Sequence, residues 1–238
     1  MMFIILIIIF LSLLGLIVWQ GKQVKKNAIR LPEAAGVREN RKNGVLSFLH
    51  IGESTVAGVG VDNINQGLSA NIIETIKRSN SCELDWQILG VNGATIKDSL
   101  TFSADHLTPD ILLITFGVND TTKMTSKQNW VEGIKYCVEK YSDTNTQVFF
   151  TSVPPMQKFP LLPFPLRTLL GWRSAFLDRE LKKVCRQNKW HHLFVEFGSS
   201  GDLMANDGYH PNARGYALWG EEVGGRILKV VETSIQKT

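Results

Sequence analysis

Short apolar runs alternate with helical patterns along most of this chain, and this alternation restricts the fold more than any other feature. Runs such as SFLHI from Ser47 and DILLITFG from Asp110 are mainly apolar and stop at turn residues, as buried strands do. Segments with apolar residues at helical spacing, such as 65–79, separate them. The pattern predicts an α/β fold in which helices cover both faces of a parallel sheet. The predicted strands are 47–51, 84–91, 110–117, 147–155 and 192–197.

The amino-terminal segment has a different character. From Met2 to Trp19 it is almost wholly apolar and carries no charge, which is long enough for a helix to cross a hydrocarbon core of about 30 Å. A cleaved signal peptide is the alternative, but no basic stretch precedes the run and no small-residue cleavage site follows it. We therefore predict a transmembrane anchor over 1–20, a polar tether over 21–43 and one globular domain over 44–238.

Basic residues follow the predicted anchor directly, namely Lys22, Lys25, Lys26 and Arg30. The positive-inside rule predicts from them a single-pass membrane protein whose globular domain is cytoplasmic. An exported, periplasmic domain is the alternative.

The overall charge gives little information about partners. The formal charge is +4, and basic residues form no run outside the segment after the apolar stretch, so nucleic-acid binding is not expected. The three cysteines have no metal-ligand spacing, and we predict no metal site. The sequence makes no prediction of oligomeric state.

Residues that can carry chemistry, through a side chain or a backbone N–H, follow four of the predicted strands. They are Ser54, Gly93, Asn119, and Asp207 with His210. The right-handed crossover rule places the loops after parallel strands at one edge of the sheet, so we expect these residues to meet there. A serine, a histidine, a carboxylate and N–H donors are the parts that acyl transfer requires.

Other interpretations of these residues remain open. Ser54 could be a turn residue, but a phosphate-binding loop would need a following Lys-Ser/Thr or G-x-G-x-x-G spacing, which is absent. A nucleophile elbow of the G-x-S-x-G type would need glycine where Val56 stands. Asn119 could cap a helix, and Gly93 could be an ordinary turn glycine.

Four blocks in order, IGEST, NGAT, GVND and DGYHPN, resemble those of the SGNH hydrolases, the GDSL-type esterases and lipases. The resemblance implies a flavodoxin-like three-layer α/β/α sandwich, here with a five-stranded parallel sheet, and no cofactor. It implies Ser54 as nucleophile, His210 as base and Asp207 as the carboxylate that orients His210. The N–H groups of Ser54 and Gly93 and the amide of Asn119 would form the oxyanion hole. The first block has Glu53 where the family usually has Asp, which puts the geometry of this loop in question.

We therefore predict a membrane-anchored serine esterase that acts on a lipid, an acetylated sugar or a small acyl ester. An O-acyltransferase with the same site is the nearest alternative, and a non-catalytic binding module is a more distant one. The proline-rich segment 154–170 is either a stiff covering loop or an apolar wall for the acyl chain. The residues proposed for that wall are Phe159, Leu161, Leu162 and Phe164.

Overall fold

The computed structural model describes residues 2–80, 83–102, 108–195 and 201–235. The strands of this part are β1 (Glu39–Asn40), β2 (Leu46–Gly52), β3 (Leu84–Gly90), β4 (Ile111–Thr115), β5 (Gln147–Thr151) and β6 (His191–Leu193). The α-helices are α1 (Met2–Asn27), α2 (Leu68–Asn80), α3 (Val118–Thr122), α4 (Lys127–Tyr141), α5 (Leu166–Asn188) and α6 (Ala213–Ile235).

The sheet is six-stranded and mixed, with the strand order β1-β3-β2-β4-β5-β6. This corrects the predicted five-stranded parallel sheet. The added strand, β1, pairs antiparallel with β3, and Glu39 lies opposite Gln87. It lies inside the segment predicted to be a tether, and its two residues are too few to show the period-2 pattern of a strand. The predicted strand 192–197 corresponds to β6 at its start, and its last two residues lie outside the described ranges.

Helices pack on both faces of the sheet because successive residues of a strand point to opposite sides. Phe48 of β2 belongs to the apolar cluster that packs under α2 and α6. Its neighbour Leu49 belongs to the cluster under α4 and α5. All five residues of β4 are buried, as expected for a central strand covered on both sides.

The first helix is not the predicted membrane anchor. Within the described residues, no helix meets the length and apolarity that a membrane crossing requires. The predicted anchor over 1–20 is therefore wrong, and the single-pass localisation and orientation deduced from it are corrected with it.

The helix instead continues to Asn27 and packs on the rest of the protein. Its residues Ile17 and Val24 pack against a small apolar cluster that includes Met156 and Leu162. Gln20 is buried, donates a 2.7 Å hydrogen bond to the carbonyl oxygen of Phe164 and accepts one from the backbone N–H of Leu166. Hydropathy does not distinguish an apolar face that packs on protein from one that faces lipid.

The register of the central strands brings their loops together. Gly52, at the end of β2, lies opposite both Gly90 of β3 and Thr115 of β4. The three strands thus end at the same level, and the loops that carry Ser54, Gly93 and Asn119 leave one edge of the sheet.

Replacing Gln20 with Ala tests the attachment of α1. The change leaves the buried N–H of Leu166 without its acceptor, and we expect the free energy of unfolding to fall by about 1–3 kcal/mol. Hydrogen exchange of the amides in 17–27 should become faster. Gln23→Ala is the matched control, because Gln23 makes no hydrogen bond to a described residue through its side chain. Equal effects of the two substitutions would contradict this role of Gln20.

Candidate active site

Ser54, His210 and Asp207 form one hydrogen-bonded chain at the edge of the sheet. The Oγ of Ser54 lies 2.9 Å from Nε2 of His210. Nδ1 of His210 lies 2.6 Å from Oδ2 of Asp207. The structure thus brings together residues from the first and the last of the four blocks, and it arranges them in the order hydroxyl, imidazole, carboxylate.

Local backbone structure fixes both ends of this chain. Ser54 begins a tight turn in which its carbonyl oxygen accepts the N–H of Val59. A few residues later, Gly60 has a φ of +106°, and a Cβ there would lie 2.3 Å from the carbonyl oxygen of Pro211. Only glycine permits this approach, so the turn that starts at Ser54 packs directly on the loop that carries His210.

The carboxylate of Asp207 is held in place by its own turn. Its Oδ1 accepts the backbone N–H groups of Tyr209 and His210, and the side chain is almost fully buried. Burial alone would raise the pKa of Asp207, but the hydrogen bonds from the His210 ring and from these two N–H groups outweigh it and lower the pKa. Asp207 therefore stays ionised and accepts a hydrogen bond from the N–H at Nδ1 of His210, which leaves Nε2 as the acceptor facing Ser54.

Glu53 fills the position at which the first block departs from the usual Asp. Its buried carboxylate accepts the backbone N–H of Val118 at 2.9 Å and that of Asn119 at 3.0 Å. It also accepts the side-chain amide of Asn119. Burial raises the pKa of Glu53 to about 7, against the effect of these hydrogen bonds. The longer side chain thus connects the serine loop to the loop of the third block.

The three N–H donors of the predicted oxyanion hole each keep at least one hydrogen without a partner among the described residues. The backbone N–H groups of Ser54 and Gly93 make no hydrogen bond to a described residue. Gly93 has a φ of +79° and lines a separate pocket, whereas its neighbour Asn92 lines both that pocket and the cavity in front of Ser54. Nδ2 of Asn119 carries two hydrogens and donates to Glu53, so one N–H is left.

A cavity of about 770 Å³ opens in front of the serine. Ser54, His210 and Asn119 line it, together with Phe159 and Leu162 of the proposed apolar wall. The other two wall residues lie elsewhere. Leu161 lines a neighbouring pocket, and Phe164 is 70% exposed. Within the described ranges, no group of three His, Cys, Asp or Glu side chains is placed to hold a metal ion.

Sequence reasoning missed that α1 also lines this cavity. Ile17, Val18, Gly21 and Val24 contribute to its wall, although they precede the first block by about thirty residues. The available signal was Gln20, a polar residue at the end of the apolar run, which marks the point where the helix contacts the protein.

Several solved structures share this architecture. The psychrotrophic esterase EstA from Pseudoalteromonas sp., in a structure inhibited by monoethylphosphonate, is 18% identical with a TM-score of 0.57, over 78% of this chain and 98% of that one. Est24, a carbohydrate acetylesterase from Sinorhizobium meliloti, is 16% identical with a TM-score of 0.57, over 78% and 99%. The lipase/acylhydrolase from Enterococcus faecalis is 19% identical with a TM-score of 0.57, over 77% and 95%. At these identities the likeness shows a shared fold.

A search of curated proteins finds no match. The model of the GDSL-like Lipase/Acylhydrolase family, in contrast, matches residues 50–218. The match begins within β2, covers well over half of the chain and includes all four blocks. It confirms the resemblance predicted from the sequence: the chain belongs to the GDSL-like lipase/acylhydrolase family and is a serine ester hydrolase.

Proposed function

We propose that this enzyme hydrolyses carboxylic esters through an acyl-enzyme formed on Ser54. The observation that carries the proposal is the hydrogen-bonded chain from Ser54 through His210 to Asp207 at the wall of a largely apolar cavity. A serine hydroxyl is a weak nucleophile near neutral pH, and a neutral imidazole within hydrogen-bonding distance is what activates it.

In the first half of the reaction, Oγ of Ser54 bonds to the ester carbonyl carbon while its proton passes to Nε2 of His210. The electron pair of the carbonyl bond moves to the oxygen. When the tetrahedral intermediate collapses, the bond to the alcohol oxygen breaks, and Nε2–H protonates that oxygen. Water then repeats the sequence on the acyl-enzyme and releases the acid and free Ser54. Throughout, Asp207 stabilises the imidazolium.

The charge that develops on the carbonyl oxygen needs donors that are already in position. The backbone N–H groups of Ser54 and Gly93 and the remaining N–H of Asn119 are the proposed donors. Their freedom from other partners among the described residues supports this assignment.

Glu53 is proposed as a positioning residue for Asn119. Its carboxylate accepts both the backbone and the side-chain N–H of Asn119, so one contact holds the backbone at Asn119 and the other orients the side-chain amide. Since Glu53 directly precedes Ser54, this arrangement fixes the proposed nucleophile and one oxyanion donor relative to each other.

The nucleophile is tested by covalent labelling. A fluorophosphonate probe should label the wild-type enzyme but not Ser54→Ala, and hydrolysis of a p-nitrophenyl ester should fall by about a thousandfold or more. Ser152→Ala is the matched control, because Ser152 lines the same cavity and should leave both readouts intact. Persistent labelling of Ser54→Ala would refute the assignment. Product analysis with added alcohols distinguishes hydrolysis from acyl transfer.

The amide donor is tested by Asn119→Ala. We expect kcat to fall by about a hundredfold with little change in KM, because the lost hydrogen bond strengthens only as charge develops on the carbonyl oxygen. Asn92→Ala, another amide in the cavity wall, serves as control. A loss in kcat below tenfold would remove Asn119 from the oxyanion hole.

The buried carboxylate predicts a pH dependence of stability. Because the pKa of Glu53 rises from 4.5 in the unfolded chain to about 7 in the folded protein, the folded state binds this proton more tightly. The contribution of Glu53 is therefore most favourable below pH 4.5 and is lost as the pH rises to about 7, a fall of about 3 kcal/mol.

Denaturant unfolding of the wild type and Glu53→Gln between pH 4 and 8 measures this contribution, because the effects of titrating groups that do not interact with Glu53 cancel in the difference. The difference in free energy of unfolding between the two proteins should change across this window. Parallel pH profiles would show that Glu53 does not titrate in it.

A further inference from the structure

The loop of the second block is a turn whose backbone carries one of the proposed oxyanion donors. The N–H of Ala94 donates to the carbonyl oxygen of Val91 at 3.2 Å and closes a four-residue turn. Its two central residues are Asn92 and Gly93, and the φ of +79° at Gly93 matches the third position of a type II turn. The N–H of Gly93 belongs to the central peptide, so its position relative to Ser54 depends on how the turn is held.

Charged side chains hold this turn on both sides of that N–H. Oε1 of Glu33 accepts the backbone N–H of Asn92 at 2.7 Å. Nζ of Lys123 donates to the carbonyl oxygen of Gly93 at 2.7 Å. The N–H of Gly93 lies between these two bonded groups and has no partner of its own among the described residues. Hydrogen bonds to ionised groups are roughly twice as strong as neutral ones, so the two contacts anchor the turn.

The segment 33–38, which begins with Glu33, also contacts the serine loop. The N–H of Ala34 donates to the carbonyl oxygen of Ala57 at 3.1 Å. Nη2 of Arg38 donates to the same carbonyl oxygen at 3.2 Å and to that of Ala34 at 2.9 Å. It also lies 3.8 Å from Oε2 of Glu33. One short segment therefore contacts both the serine loop and the turn of the second block.

We propose that Glu33 and Lys123 are positioning residues that hold the backbone N–H of Gly93 in the oxyanion hole. A donor that is already in place needs no reorganisation when charge develops on the carbonyl oxygen, and this advantage is lost if its support is loose. Glu33 lies outside the region that matches the family model, which begins at residue 50. The proposal rests on the proposed function, since it concerns one donor of the same site.

The contact at Asn92 is tested by Glu33→Ala. We expect kcat for p-nitrophenyl acetate to fall by about fivefold with KM within about twofold, because a displaced donor matters most when charge develops on the carbonyl oxygen. Glu33→Gln keeps an oxygen that can accept the Asn92 N–H and should retain about half of the wild-type kcat or more. Glu39→Ala is the matched control, because Glu39 lies in the neighbouring strand β1 and its carboxylate contacts Arg41 and Gln87 instead.

The contact at Gly93 is tested by Lys123→Met, for which we expect the same change in kcat. The double variant Glu33→Ala with Lys123→Met should lower kcat by about twentyfold, since the two side chains hold different groups of the turn. Lys97→Met is the matched control, because it removes the same charge from an exposed position near the turn. Rates are expressed per site that reacts to completion with the fluorophosphonate. A purely structural role would reduce the number of reactive sites and leave kcat per site unchanged.

A kcat per site for Glu33→Ala or Lys123→Met equal to that of its control would overturn the proposal. A rise in KM with unchanged kcat, or an equal loss in Glu33→Ala and Glu33→Gln, would also overturn it. In each of these cases the wild type still hydrolyses esters and still reacts with the fluorophosphonate. If the wild type did neither, the proposed function itself would fail.

Discussion

The hydrogen bond between Ser54 and His210 is the contact on which the site depends, and it joins residues 156 positions apart in the chain. Neither loop could hold its side chain in place alone. The parallel strands position the loops, because β2, β3 and β4 end at the same level and their loops leave one edge of the sheet. The close approach at Gly60 completes it by packing the serine turn on the histidine loop. The geometry of the site is thus a property of the whole sheet and its register.

The buried carboxylate of Glu53 has a second organising role. Three hydrogen bonds connect it to the Val118–Asn119 segment, and it directly precedes Ser54 in the chain. A buried carboxylate is destabilising when ionised, which is why its pKa lies near neutrality. Ionised Glu53 therefore lowers the stability of the fold at higher pH. Its hydrogen bonds nevertheless hold the serine loop and the Val118–Asn119 segment in a fixed position relative to each other. Such local costs are common where geometry serves chemistry.

The sequence predicted the central features of the fold because they follow from burial. Strands such as β4 are apolar along their length, since both faces are covered, and their loops could be assigned to one edge. It missed β1, since two residues that pair through their backbone leave no side-chain pattern. The prediction for α1 was wrong for a related reason. Hydropathy measures the transfer of a side chain out of water and does not tell whether protein or lipid then surrounds it.

The same limits apply to the site. The four blocks predicted Ser54, Asn119, Asp207 and His210 as site residues from their positions after strands and their residue types, whereas the prediction for Gly93 came from the family resemblance. The direction of side chains in the proline-rich segment could not be read, so Phe159 and Leu162 line the cavity while Phe164 is exposed. The contacts of Glu53 were also hidden, because they depend on how far a side chain reaches between two loops.

The hydrogen bonds that Gln20 makes to Phe164 and Leu166 attach α1 to the domain, and this attachment affects how the enzyme is compared with its relatives. The region shared with the family begins at residue 50, yet part of the cavity in front of Ser54 is built by a helix that ends at Asn27. Alignments restricted to the shared region will describe the chemistry and omit one wall of the pocket. A shortened protein that begins near residue 44 would keep Ser54, Asp207 and His210 but would expose Leu162 and Leu166 to water. Its cavity would become an open cleft, and its preference among substrates would change accordingly.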